Sequence, residues 1–354
     1  MSAHRGLLSH RRNKATVGQS KGALHAQPSS ISLEALPSYT REVGVQIFGS
    51  LAALSAVLNN TVVRQVHTLS GALTLNVASM RGDRSVQHLQ REMRGDRYNV
   101  RDGFLQRSSN GVVVDVGANL GYFTLTVAKL YPQMRVIAVE PTPPTFFFLT
   151  LNLHLNRVRR LSPTAFSETV HAGVLPLHAA IGRTADKRSS NGSVTMHYPV
   201  GFSDSQLATA VSDPALPARG GWRTHPVPLI QMADYLEASS VRSVRMLKTD
   251  CEGCEWTLLP SLAQWLTPPV STPGMKMRFW RWPSWTRPFR PRIERLVGEL
   301  HSGALEPDFD FEKRRKIGRQ VMRPAVDDVF QTIRLLTERG CDVGLPGHVE
   351  LNAC

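Results

Sequence analysis

From residue 112 onward the hydrophobic period switches repeatedly between two kinds. Residues 112–116, VVVDV, form an unbroken run dominated by valine, which suits a strand covered on both faces. Leu120, Phe123, Val127 and Leu130 then recur at helical spacing. The exchange repeats in RVIAVEP (135–141) and TFFFLTLNLHLNRV (145–158). GVLPLHAAIG (173–182), VRMLKTD (244–250) and RLVGELH (295–301) read as a third, fourth and fifth strand. VFQTIRLLTERG (329–340) reads as a helix ending at Gly340, a residue suited to a C-cap. Strands alternating with helices predict an α/β fold, a mostly parallel sheet with helices on both faces.

Other stretches frame this pattern. Residues 1–39 read as a disordered basic tail or a transit peptide, and 40–94 as a mostly helical lead-in. The main domain is expected over 95–345, with irregular insertions at 183–225 and 267–293, and a short tail over 346–354. The first insertion holds a candidate hairpin around SVTMHYPV (193–200). The second combines six prolines, three tryptophans and six cations and is expected to be an irregular excursion. No apolar run reaches membrane-spanning length; the nearest, the uncharged VGVQIFGSLAALSAVL (43–58), is diluted by Gly44, Gln46, Gly49, Ser50 and Ser55, so it suits a core helix better than a membrane span.

Charge changes this picture little. The formal net charge is +14. Five cations in residues 1–33 and six in 256–293, segments without an acid, account for all but three of those charges. The body of the protein is therefore near neutral, and nucleic acid is not an expected partner on charge alone. Four cysteines, Cys251, Cys254, Cys341 and Cys354, are too few for a disulfide scaffold and fit a reducing compartment. The acid-free N-terminus allows an organelle as the address, with the cytoplasm as the alternative.

The chemistry gathers where the first strand becomes a helix. Gly117 and Gly121 permit φ > 0 and a close backbone approach to a ligand. The spacing is Asp-x-Gly-x-x-x-Gly, however, and differs from the Gly-x-Gly-x-x-Gly that holds a pyrophosphate. Asp115 would repel a phosphate and attract an ammonium, and Glu140 ends the next strand, where a carboxylate takes ribose hydroxyls. An amine, a ribose and no phosphate describe S-adenosylmethionine.

VVVDVGANLGYFTLTVA, VIAVEP, HAAIG and MLKTDCEGCEWTLL, in that order over roughly residues 95–340, resemble the FkbM-type family of S-adenosylmethionine-dependent methyltransferases. The resemblance implies a class I methyltransferase (Rossmann-like) fold and methyl transfer, commonly to a hydroxyl of a small molecule, lipid or saccharide. It assigns Asp115, Gly117, Ala118, Asn119, Gly121 and Tyr122 to the methionine side of the cofactor. Glu140 and Pro141 fall to the ribose, Ala180 to the adenine, and Asp250 with Glu252 to the strand end facing cofactor and acceptor.

Cys251 and Cys254 stand where that family has small apolar residues, and are expected as small buried side chains rather than as zinc ligands or a redox pair. No metal site is assigned. An alcohol must lose its proton on methylation, and Asp250, Glu252, Glu255 and His301 are the candidate bases. The competing readings are an RNA or protein methyltransferase that docks through the basic insertion, and a non-catalytic module that binds an adenosyl ligand.

Overall fold

The computed structural model describes residues 26–27, 31–83, 85–107, 111–168, 171–182, 192–199, 221–266, 292–300, 331–332, 334–336 and 349–351. The transit-like tail to residue 25, most of both insertions, His301, Gly340, Cys341 and Cys354 lie outside the described residues. The chain opens with β1 (Ala26–Gln27), α1 (Ser38–Phe48), α2 (Leu51–Asn59), β2 (Thr61–Thr68), β3 (Leu73–Met80) and α3 (Ser85–Arg94). There follow β4 (Val112–Val116), α4 (Tyr122–Leu130), β5 (Arg135–Val139), α5 (Pro143–Leu155), α6 (Pro163–Ser167) and β6 (Gly173–Leu177). The remaining elements are β7 (Ala180–Ile181), β8 (Ser193–Pro199), β9 (Trp222–Ile230), α7 (Met232–Ala238), β10 (Ser243–Thr249), α8 (Glu255–Ser261), α9 (Ala263–Leu266), β11 (Arg292–Ile293), β12 (Leu296–Leu300) and β13 (Val349–Leu351).

The central sheet has seven strands in the order β6-β5-β4-β10-β12-β13, with β11 against β10. Every pairing is parallel except β12 with β13. All five residues of β4 are buried, as its valine run predicts. Alternate side chains feed two cores. Val113, Val136, Val174 and Met246 point into one with α4 and α5, and Val112, Val114, Val116, Ile137 and Leu247 into the other with α7 and α8. This is the expected α/β architecture, with an apolar layer on each face of the sheet. The five described residues of the 329–340 stretch are helical.

The lead-in holds three helices, α1, α2 and α3, and departs from expectation between the second and third. Residues 61–80 form an antiparallel hairpin, β2 with β3, where a mostly helical segment was expected. Its residues are rich in Val and Thr, and a half-buried strand suits them better than a helix. Nor is residue 94 a packing boundary. Leu54, Leu58, Val66, Leu75 and Val77 share one core with Phe147 and Leu149 of α5. Two buried amides fasten the join: Asn152 Oδ1 accepts from Ala78 N at 2.6 Å and Asn156 Oδ1 accepts from Asn76 N at 2.9 Å. Asn152 Nδ2 also donates to Leu120 O at 2.9 Å, so the hairpin is tied directly to the glycine loop. Elsewhere the 193–200 stretch, expected as a hairpin, contributes one strand, β8, which pairs antiparallel with β9.

Candidate functional site

β4 and β10 are neighbours from which the chain proceeds in opposite directions across the sheet, to β5 and β6 on one side and to β12 on the other. Their carboxyl ends mark the switch point where open α/β sheets bind ligands. Beyond Val116 the chain turns sharply, with φ of 77° at Gly117, 51° at Asn119 and 91° at Gly121. Val139 O accepts from the amides of Gly117 and Ala118, at 3.0 and 2.9 Å. A Cβ on Gly117 would strike the carbonyl oxygen of Asp250, and one on Gly121 would lie 2.7 Å from Leu149 Cδ1. Both glycines are therefore dictated by sterics as well as by backbone angle.

Asp115 is fully buried. Its Oδ2 accepts from Thr124 Oγ1 at 2.6 Å, and its Oδ1 lies 3.2 Å from the Lys248 ammonium. Lys248, itself buried, donates to Gly117 O at 2.9 Å and lies 3.7 Å from Asp250 Oδ2. Tyr98 Oη donates to the same Asp250 oxygen at 3.1 Å, and its ring sits edge-on to Phe123. The expectation that Asp115 meets a ligand's amine is corrected by this arrangement. An acid with no exposed surface acts through Lys248, which braces the Gly117 carbonyl and the Asp250 carboxylate. The signal for Lys248 was a lysine near the end of a buried strand, beside Met246 and Leu247, and a buried lysine almost always means a partner.

Glu140 lies just past β5 and is buried. Its two oxygens accept from Asn119 N and Thr142 N, at 2.9 and 2.8 Å. Burial pushes its carboxyl up to about 6, against those hydrogen bonds and the Lys248 ammonium, which pull it down. The Thr142 side chain bonds this carboxyl as well, and of the roughly four acceptor sites of a carboxylate these three donors leave room for a further one. Beside it, His178 bonds Pro141 O through Nε2 at 3.2 Å and stacks on Phe146, with centroids 4.8 Å apart. Burial, and then His225 at 5.8 Å between centroids, pull His178 down to about 4, so it is neutral at pH 7. Neither histidine was singled out from the sequence. Ala180 is buried and opens β7, pairing with Leu229. Tyr122 turns its buried ring away from the loop, its Oη donating to Val86 O at 3.4 Å, which leaves only its backbone on the ligand side.

The acid loop after β10 divides its three carboxylates. Glu255 is fully buried, and its oxygens accept from Cys251 N and Gly253 N, both at 2.8 Å. It shapes the loop and is not placed to take a proton from an acceptor. Asp250 is half-buried and braced as described, while Glu252 is exposed at the tip with φ 55°. Cys251 and Cys254 are joined by a disulfide, where separate thiols were expected. His301 lies outside the described residues. Among the described residues no cluster of three or more His, Cys, Asp or Glu could hold a metal.

The residues fit an adenosyl ligand. Glu140 and Asp250 flank the glycine turn with carboxylates, which oppose a pyrophosphate and suit hydroxyls and a cation. Comparison with known proteins points the same way. A model of the TRM5/TYW2 methyltransferase domain matches residues 93–167. "Methyltransferase 1" of Beauveria bassiana is 27% identical over 166 residues, 42% of this chain and 57% of that protein. "31-O-demethyl-FK506 methyltransferase FkbM" of Streptomyces tacrolimicus is 28% identical over 235 residues, 62% of this chain and 76% of its own. A "tRNA(Phe) (4-demethylwyosine(37)-C(7)) aminocarboxypropyltransferase" of Methanocaldococcus jannaschii is 38% identical over 56 residues, 16% of this chain and 22% of its own. The chain spans little more than half the length of the first of these relatives. No solved structure matches it significantly. The mostly parallel sheet is that of a class I methyltransferase domain, and the methyltransferase matches imply S-adenosylmethionine as methyl donor.

Proposed function

We propose that the protein is an S-adenosylmethionine-dependent methyltransferase of FkbM type that methylates a hydroxyl oxygen on a small molecule, lipid or saccharide. The observation that carries this reading is Glu140, a buried carboxyl beside the glycine turn with acceptor capacity left for ribose hydroxyls. Bound there, the cofactor would supply an electrophilic methyl on a sulfonium. Gly117, Ala118, Asn119 and Gly121 would line its methionine side, Glu140 its ribose, and His178 with Ala180 its base. Asp250, held by Tyr98 and Lys248, is oriented to bind the cofactor's charged end. Glu252, exposed on the neighbouring turn, would accept the hydroxyl proton. Positioning does most of the work in an in-line displacement, so a rigid loop matters more than a strong base.

The FkbM likeness favours oxygen as the target, because it runs over 62% of the chain while the tRNA-enzyme likeness covers 16%. The second reading, RNA modification, draws on the TRM5/TYW2 match and the six cations of the 267–293 insertion. Labelled cofactor offered to lipid, glycan, small-molecule and RNA pools separates them. Label in a hydroxyl-bearing metabolite is expected, and label confined to RNA overturns the oxygen reading.

A further inference from the structure

We propose that Cys251 and Cys254 form a redox-modifiable clasp on the acid loop, opened by a dithiol reductant and closed by a small-molecule disulfide such as glutathione disulfide. The bond joins residues three apart, with Cα atoms 5.4 Å from one another. Inside that small ring Glu252 and Gly253 take φ of 55° and 113°. For Glu252 this is a left-handed conformation that costs a non-glycine residue free energy.

The ring is coupled to the site on both sides. Upstream, Asp250 accepts from Tyr98, approaches Lys248, and sets its carbonyl oxygen in the space a Cβ on Gly117 would need. Downstream, Glu255 grips the amides of Cys251 and Gly253. Opening the bond therefore releases the segment that sets Asp250 and Glu252.

Two features mark it as a switch more than a staple. The loop closed is so short that the bond constrains the unfolded chain far less than a long-range disulfide does. Both cysteines are only partly buried, so a reagent can reach them. In the opening step the reductant's thiolate attacks one sulfur, and the mixed disulfide is resolved by its second thiol. Two electrons and two protons pass to Cys251 and Cys254, and the reductant leaves as its own disulfide.

The ligand readout of this inference rests on the proposed function, and the structural readouts do not. The purified full chain is divided between glutathione disulfide and dithiothreitol, alkylated, digested and weighed. After oxidation the peptide spanning 251–254 is expected to carry no alkyl group, and after reduction two. Amide exchange at Cys251 and Gly253 is expected to quicken on reduction, since Glu255 then holds a looser loop. If the competent loop falls to about a tenth of the population, affinity for S-adenosylhomocysteine drops about tenfold. Cys254→Ser should bind like the reduced protein whatever the reagent. Two alkyl groups after oxidation, a link from either residue to Cys341 or Cys354, or equal exchange in both states overturns the clasp. Equal ligand affinity in both states removes its control of the site. If neither state binds the adenosyl ligand, the proposed function fails, and mapping and exchange still decide the clasp.

Discussion

Replacing Lys248 with Met tests the electrostatic centre of the site. Its ammonium stands 3.2 Å from Asp115 Oδ1, with side chains 5% and 0% exposed. At an effective dielectric of about 20, unit charges at that separation attract by about 5 kcal/mol. Removing one member of such a pair strands the other, at a cost of about 3–5 kcal/mol. Asp115 would keep only its Thr124 partner. Much of a typical domain's stability, about 5–15 kcal/mol, is then at stake. Urea unfolding followed by tryptophan fluorescence measures the loss in the full chain. Adding Asp115→Asn removes the stranded charge, so the double variant should be more stable than Lys248→Met alone. A single-variant cost below about 1 kcal/mol, or a double variant no better than the single, would refute the pairing argument.

Three further expectations follow from other contacts. Gly117→Ala must relieve a clash with the Asp250 carbonyl and a φ of 77°, so calorimetry should show at least tenfold weaker adenosyl binding with a stability loss of about 1–3 kcal/mol; unchanged affinity contradicts the close approach. Asn152→Ala leaves Ala78 N and Leu120 O without their partner, and chemical denaturation should register a loss of at least about 2 kcal/mol. Glu140 titrates near 6 in the folded protein, and ribose hydroxyls need its ionised form, so adenosyl affinity should be full above that pH and fall by up to about tenfold per unit below it. His178, near 4, stays neutral through that window. The sign for stability is opposite. A carboxyl raised by folding favours the folded state at low pH, and that contribution is lost as pH rises from 4.5 to about 6.

Which features the sequence disclosed follows from what is local. VVVDV and RVIAV declare buried parallel strands because both faces are covered and every position is apolar or partnered. The glycine turn and Glu140 were legible because a sheet's functional edge follows from strand order alone. The Asp115–Lys248 pair was not, since it depends on register: the two are direct cross-strand neighbours of β4 and β10, more than a hundred positions apart in sequence. Tyr98 was hidden for the same reason, reaching Asp250 from the lead-in. The 61–80 hairpin was obscured by its polar positions, Arg64, Gln65 and His67, which break an apolar strand pattern. Cysteine spacing admits a bond without requiring one, so the disulfide emerges only with the loop's geometry.

The central claim is that the turn around Gly117 and Gly121, with Glu140 beside it, holds an adenosyl cofactor. Calorimetric titration of the purified chain with S-adenosylmethionine, S-adenosylhomocysteine and NAD tests it most directly. Both adenosyl ligands should bind and NAD should not. Glu140→Ala should weaken the adenosyl ligands by about 1.5–3 kcal/mol, the worth of a hydrogen bond to a charged group. Binding of NAD with no adenosyl binding, or adenosyl affinity unchanged in Glu140→Ala, would contradict the account.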